Sequence, residues 1–153
     1  MYYLIAIGTT VVLPLVSIVV EYISRPELGI IFLMGKWFVF WGIGVRLLFA
    51  GLMQATRPSF TASTILGVKD PDAGKIVVEL GYANIAMGLL GVLSLIISSA
   101  WIVPAGLAGG LFLGMAGLKH VTNAQRNTKE NVALATDLIV FVMVAIYLIS
   151  LIA

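Results

Sequence analysis

The chain contains no cysteine and a single histidine, His120. The first absence excludes disulfide frameworks, iron–sulfur clusters and thiolate zinc sites. The second excludes a bis-histidine haem or an imidazole metal cage built from this chain alone, so no metal centre and no cofactor are expected. Charge is scarce too: nine Lys and Arg and seven Asp and Glu in 153 residues, 10% of the chain, with a net charge of +2. So few charges do not coat a soluble body of this size, and so small a positive excess does not point to nucleic acid. What is present is apolar surface, with 61% hydrophobic residues and a mean hydropathy of +1.11. Lipid is the solvent this composition fits.

Uninterrupted apolar runs predict an all-α, integral membrane helical bundle with five transmembrane helices, at about 2–23, 28–56, 75–98, 101–122 and 129–152. Residues 1–153 then form a single transmembrane domain. The first run has no Lys or Arg before it and no small-residue cleavage signature after it, so it reads as a retained helix rather than a signal peptide. Pro14 inside it frees the Thr10 carbonyl and predicts a packing kink, with the Thr9 and Thr10 hydroxyls partly meeting the loss.

Five crossings place Arg57, Lys69, Lys75, Lys119, Arg126 and Lys129 on the side of the N-terminus, against Arg25 and Lys36 on the other. Short loops rich in Lys and Arg stay in the cytoplasm, so the N-terminus is expected there, in a multi-pass protein of the cell (inner) membrane. Trp37, Trp41 and Trp101 fall at the opposite boundary, as interfacial aromatics do. The only longer connection, 57–74, is expected on the cytoplasmic side, with Phe60, Ile65 and Leu66 in a short interfacial turn and Asp72 as N-cap of the third helix. Asn127, with Glu130 three residues later, forms a capping-box pattern at the start of the fifth.

Glycine marks the helix-packing stripes. In the fourth helix Gly106, Gly110, Gly114 and Gly117 share a face; in the third, Asn84, Gly88, Gly91 and Ser94 do. The short turn between these helices predicts that they pair with each other. A homo-oligomer seam is the competing use.

Ionisable residues inside crossings are costly in hydrocarbon and are expected to face a protein or water-lined interior. Arg46 lies about 16 Å from the cytoplasmic end and Asp137 about 12 Å, counting about 1.5 Å per residue. Their depths match closely enough to predict an ion pair, joined by Glu79 from the third helix, with Gln54, Asn84 and His120 extending the cluster toward the cytoplasmic mouth. Lys36, near the other end, is expected to snorkel. Such a cluster suits an interhelical polar lock, a cavity for a small anionic, quinone-like or lipid headgroup held by Arg46, or proton movement through Asp137, Glu79 and His120. An accessory subunit packing into a larger membrane complex is the reading from another class. No nucleophile–base pair, phosphate loop or metal spacing is present, so no catalytic residue is assigned and an enzyme is not expected.

The runs FWGIGVRLLFAG (40–51), RPSFT (57–61) and ELGYANIAMGLLG (79–91) resemble those of an uncharacterised family of small prokaryotic membrane proteins, over roughly 37–140. The resemblance implies a shared polar site at Arg46, Glu79, Asn84, His120 and Asp137. The segment Thr128 to Leu134 departs from the Pro/Gly-rich stretch expected there. The last four helices are also distantly similar to DoxX-like four-helix membrane proteins, some of which are linked to quinone-coupled sulfur oxidation; that likeness implies architecture rather than chemistry.

Overall fold

The computed structural model describes residues 2–68, 70, 72–124 and 126–153; Lys69, one of the cations counted above, lies outside them. Among the described residues five helices are long and apolar enough to cross a membrane: α1 Tyr2–Ser24, α2 Ile30–Thr56, α3 Ala73–Ile96, α4 Ser99–Thr122 and α5 Thr128–Ser150. The ends fall within two or three residues of the expected ones. α2 starts at Ile30 because Gly29, at φ +74°, ends a short 3-10 turn over Pro26–Leu28 and turns the chain into the helix.

Three of these helices are not plain α-helices. A π-helical segment runs over Gly8–Val12 in α1, Phe38–Val45 in α2 and Gly106–Gly110 in α4. The first lies just before Pro14, so the disturbance is taken up as a wide i→i+5 turn, with Leu13 N–H donating to the Gly8 carbonyl. Thr9 donates its hydroxyl to the Ile5 carbonyl at 2.7 Å. The Thr10 hydroxyl, fully buried, has no partner among the described residues, so neither threonine hydroxyl meets the loss at the Thr10 carbonyl that was expected of both.

α2 is the central helix. Leu33, Val39 and Ile43 are completely buried, and glycines open its faces to two neighbours. A Cβ on Gly44 would sit 2.7 Å from the Val92 nitrogen of α3, and one on Gly42 would sit 2.8 Å from the Val140 side chain of α5. Gly35 likewise makes room for the Tyr147 ring of α5. α1 lies on the outside, tied to α2 by side-chain bonds and to α5 at Tyr2, and it shows Leu4, Val12, Val16, Val20 and Ile23 outward, as a lipid-facing helix does.

The glycine stripes pair differently from the sequence expectation. Gly88 and Gly91 of α3 abut Leu48 and Gly44 of α2, not α4. Gly106, Gly110, Gly114 and Gly117 of α4 abut Val144, Phe141 and Leu138 of α5. The expected pairing holds in part, since the short turn keeps α3 against α4 over Ser99–Gly110, the first half of α4; the small-residue grooves themselves nonetheless accept the helices that fill them best. On the N-terminal side, the 57–74 connection folds into a π-helical turn over Phe60–Ile65. It docks on α5, with Asn127 Nδ2 donating to the Ile65 carbonyl at 2.9 Å and the Lys129 ammonium over the Phe60 ring. Asp72 makes no side-chain cap; it pairs instead with Lys75 at 2.8 Å.

Candidate functional site

Arg46 is the first residue after the π segment of α2, ten residues before the helix ends at Thr56, hence about 15 Å from that end. Asp137 lies nine residues into α5, about 13 Å from the same side. Both sit deep in a span whose apolar core is about 30 Å thick. The expected ion pair forms between Arg46 Nη2 and Asp137 Oδ1. Gly117 lets α4 pack on α5 beside the acid: a Cβ there would come 2.8 Å from Leu138 Cδ2, with Asp137 Cβ next to it at 3.5 Å.

Thr136, which sequence reasoning did not single out, completes the site. Its hydroxyl donates to the Val132 carbonyl one turn back at 2.7 Å, leaving its oxygen to accept from Arg46 Nη2 at 2.9 Å. The signal was available, since a hydroxyl next to a buried acid supplies a second acceptor in the same direction. Tyr2, at the start of α1, lies within electrostatic reach of both Arg46 and Asp137, and donates its hydroxyl to the Lys129 carbonyl at 3.0 Å. The other terminal nitrogen, Arg46 Nη1, is buried with no hydrogen-bond acceptor among the described residues. A buried guanidinium donor left unpaired is expensive.

The remaining members of the expected cluster are not drawn together. Asn84 Nδ2 donates to Gln54 Oε1 at 2.7 Å, a separate buried bond between α3 and α2, and Asn84 Oδ1 is left without a partner. Glu79 is exposed and makes no bond to Arg46 or Asp137. The physical reason is register: Gly81 abuts Gln54 and Ala55, so Glu79, two residues earlier, lies level with the end of α2 and about three helical turns below Arg46.

His120 belongs to a third group on the N-terminal side. Its Nδ1 meets Glu130 Oε1 at 3.0 Å, and Asn123 Nδ2 donates to Glu130 Oε1 and Oε2 at 2.8 and 3.0 Å. Only half of the expected capping box forms. Asn127 Oδ1 accepts from the Glu130 N–H at 3.0 Å, but the Glu130 carboxylate turns inward, where it is buried, instead of back to the helix start. Reading Glu130 as a cap concealed this second use. Arg126 Nη1 closes the end of α4 by donating to the carbonyls of His120, Val121 and Asn123.

At the opposite end, Lys36 does not simply snorkel. Its ammonium pairs with Glu21 Oε1 at 2.6 Å, and Trp37 Nε1 donates to Glu21 Oε2 at 2.8 Å. Trp41 Nε1 donates to Ser17 Oγ at 3.0 Å. The indoles therefore fasten α1 to α2, and Trp41, eleven residues into α2 and so about 16 Å from its start, lies deeper than the boundary expected of it.

Fold and site define a multi-pass membrane protein of five helices whose interior carries a buried Arg–Asp pair, with the guanidinium nitrogen Nη1 buried and unpaired among the described residues. The chain belongs to DUF6790, a family of unknown function, which matches it over residues 1–153, beyond the 37–140 over which the resemblance was expected. No curated protein and no solved structure matches the chain, so the DoxX-like likeness of the last four helices stays an expectation.

Proposed function

We propose that this protein binds the carbonyl-bearing head of a small lipid-soluble molecule, quinone-like or an acyl ester, at Arg46. One observation carries the reading: Arg46 Nη2 is occupied by Asp137 and Thr136 while Nη1 is buried with no acceptor. An N–H in that position is completed by an oxygen that enters from outside the chain. Charge selects among the candidate ligands. Arg46 and Asp137 already sum to zero, so an anion would leave one net negative charge in a medium of low dielectric, whereas a neutral carbonyl leaves none.

The other readings have less support. Most of both glycine stripes is taken up by helices of the same chain, which leaves a partner subunit or second copy only the apolar recess of about 250 Å³ beside Gly106 and Gly110. Proton movement from His120 to Asp137 would have to bridge the seven residues between Glu130 and Asp137, about 10 Å along α5, and no hydrogen bond among the described residues does so. The distribution of Lys and Arg supports an orientation with the N-terminus in the cytoplasm, and the family resemblance supports a prokaryotic cell membrane.

The test uses purified protein in a neutral detergent, titrated with a decyl-tailed benzoquinone and, separately, with a short-chain diacylglycerol. Thermal unfolding is followed at each concentration. Ligand that binds only the folded state raises the midpoint as its concentration passes the dissociation constant. The wild type is expected to respond to at least one of the two compounds. The paired variant Arg46→Met with Asp137→Leu, which keeps the interior neutral, is expected not to respond. Equal midpoint shifts in both proteins, or no shift in either, would remove the reading.

A further inference from the structure

A second recess lies at the other end of the molecule, where α1 ends and α2 begins. Its volume is about 240 Å³, and Glu21, Arg25, Lys36 and Ser99 line it beside Leu28 and Phe32. Its charges are not balanced. The Glu21 carboxylate is already engaged by the Lys36 ammonium on both oxygens and by the Trp37 indole. Arg25 is exposed, and no hydrogen bond or ion pair holds its guanidinium among the described residues. The recess therefore has a net charge of +1, with five guanidinium donors unused and a hydroxyl from the start of α4 beside them.

The level of the recess fixes what reaches it. Arg25 follows the last residue of α1 directly, and Trp37 and Trp101 mark the same end of the bundle, the level of lipid headgroups. A wall combining one free cation, a hydroxyl and the apolar groups of Leu28 and Phe32 matches a molecule with a monoanionic phosphodiester at one end and apolar chain at the other. We infer that this recess binds the phosphate group of an anionic phospholipid in the leaflet opposite the N-terminus, with Arg25 as the phosphate contact and Ser99 as a second donor. This site is independent of Arg46, which lies ten residues from the other end of α2.

The experiment is lipid retention in nanodiscs, read by native mass spectrometry. Full-length protein is assembled with equal amounts of phosphatidylglycerol and phosphatidylcholine, then released in a gentle detergent, and the lipids still bound are counted. The wild type is expected to retain phosphatidylglycerol over phosphatidylcholine by about threefold, the order set by one exposed ion pair. Arg25→Gln is expected to bring that ratio to one; because Arg25 bonds no other side chain, this variant keeps its fold, checked by the unfolding midpoint. Arg57→Gln, at the opposite end, is expected to leave the ratio unchanged. Millimolar inorganic phosphate separates the two sources of the anion: retention that survives it supports the lipid assignment, and full displacement overturns it in favour of free phosphate. Equal loss in both arginine variants, or an unchanged ratio in Arg25→Gln, overturns the site altogether.

Discussion

Removing one partner of the Arg46–Asp137 pair tests the organisation of the whole interior. Arg46 and Asp137 are only 12% and 7% exposed at their side chains, so neither has bulk water to fall back on. Asp137→Leu leaves a guanidinium with the Thr136 hydroxyl as its one acceptor, and Arg46→Met leaves a carboxylate facing an apolar side chain. Stranding a buried charge in this way costs about 3–5 kcal/mol, a large part of the roughly 5–15 kcal/mol that holds a typical domain folded. The double variant strands nothing. Thr136 keeps its bond to the Val132 carbonyl, and Met, together with Leu of the same branching as Asp though bulkier, fills the space, so its cost should lie within about 2 kcal/mol of wild type. Two single losses of at least about 3 kcal/mol each against a double loss of no more than about 2 predict a coupling of at least about 4 kcal/mol. The assay is equilibrium unfolding in mixed micelles of neutral and anionic detergent, followed by helical circular dichroism. Trp37 and Trp41 fluorescence serves as a second probe, because both indoles bond across to α1. Losses that add to within about 0.5 kcal/mol would show that the two groups do not depend on each other, and the account of the site would fall.

The α2–α3 contact gives a second test. A Cβ at Gly91 would lie 2.6 Å from Gly44 Cα and N, which are backbone and have nowhere to move, so Gly91→Ala should destabilise by about 1–3 kcal/mol in the same unfolding assay. Gly74→Ala, with nothing nearer than 3.9 Å, should be neutral or slightly stabilising through helix propensity. Thr10→Val removes a buried hydroxyl that has no partner and should raise stability by up to about 1 kcal/mol; a loss of that size instead would mean that the hydroxyl bonds a guest molecule. Glu79→Gln should change stability by no more than about 0.5 kcal/mol, because the acid is exposed and unattached to the Arg46 site. A large loss would place it back in the cluster.

Much of the architecture was legible in the sequence because membrane crossing is a local property. An apolar run of about 20 residues declares a helix regardless of its neighbours, and the five expected spans match the observed helices closely. Depth was legible for the same reason: rise per residue is nearly constant, so counting from the helix ends put Arg46 and Asp137 at similar heights, and they meet. Asn127 also capped α5 as its sequence context indicated.

Rotation and neighbour choice were decided only by the folded molecule. Each extra residue in a π-helical turn rotates the following face by about 100°, so the face that Arg46 presents after Phe38–Val45 does not follow from an ideal period. Which helix fills which glycine groove depends on the shape of both surfaces at once, and this paired α3 with α2 and α4 with α5. The same packing separated Glu79, Asn84 and His120 from the Arg46–Asp137 pair and brought in Thr136. Hydropathy and length are sums along one chain segment, whereas contact between segments is a joint property of several, and it is contact that buries Arg46 Nη1 without a partner among the described residues.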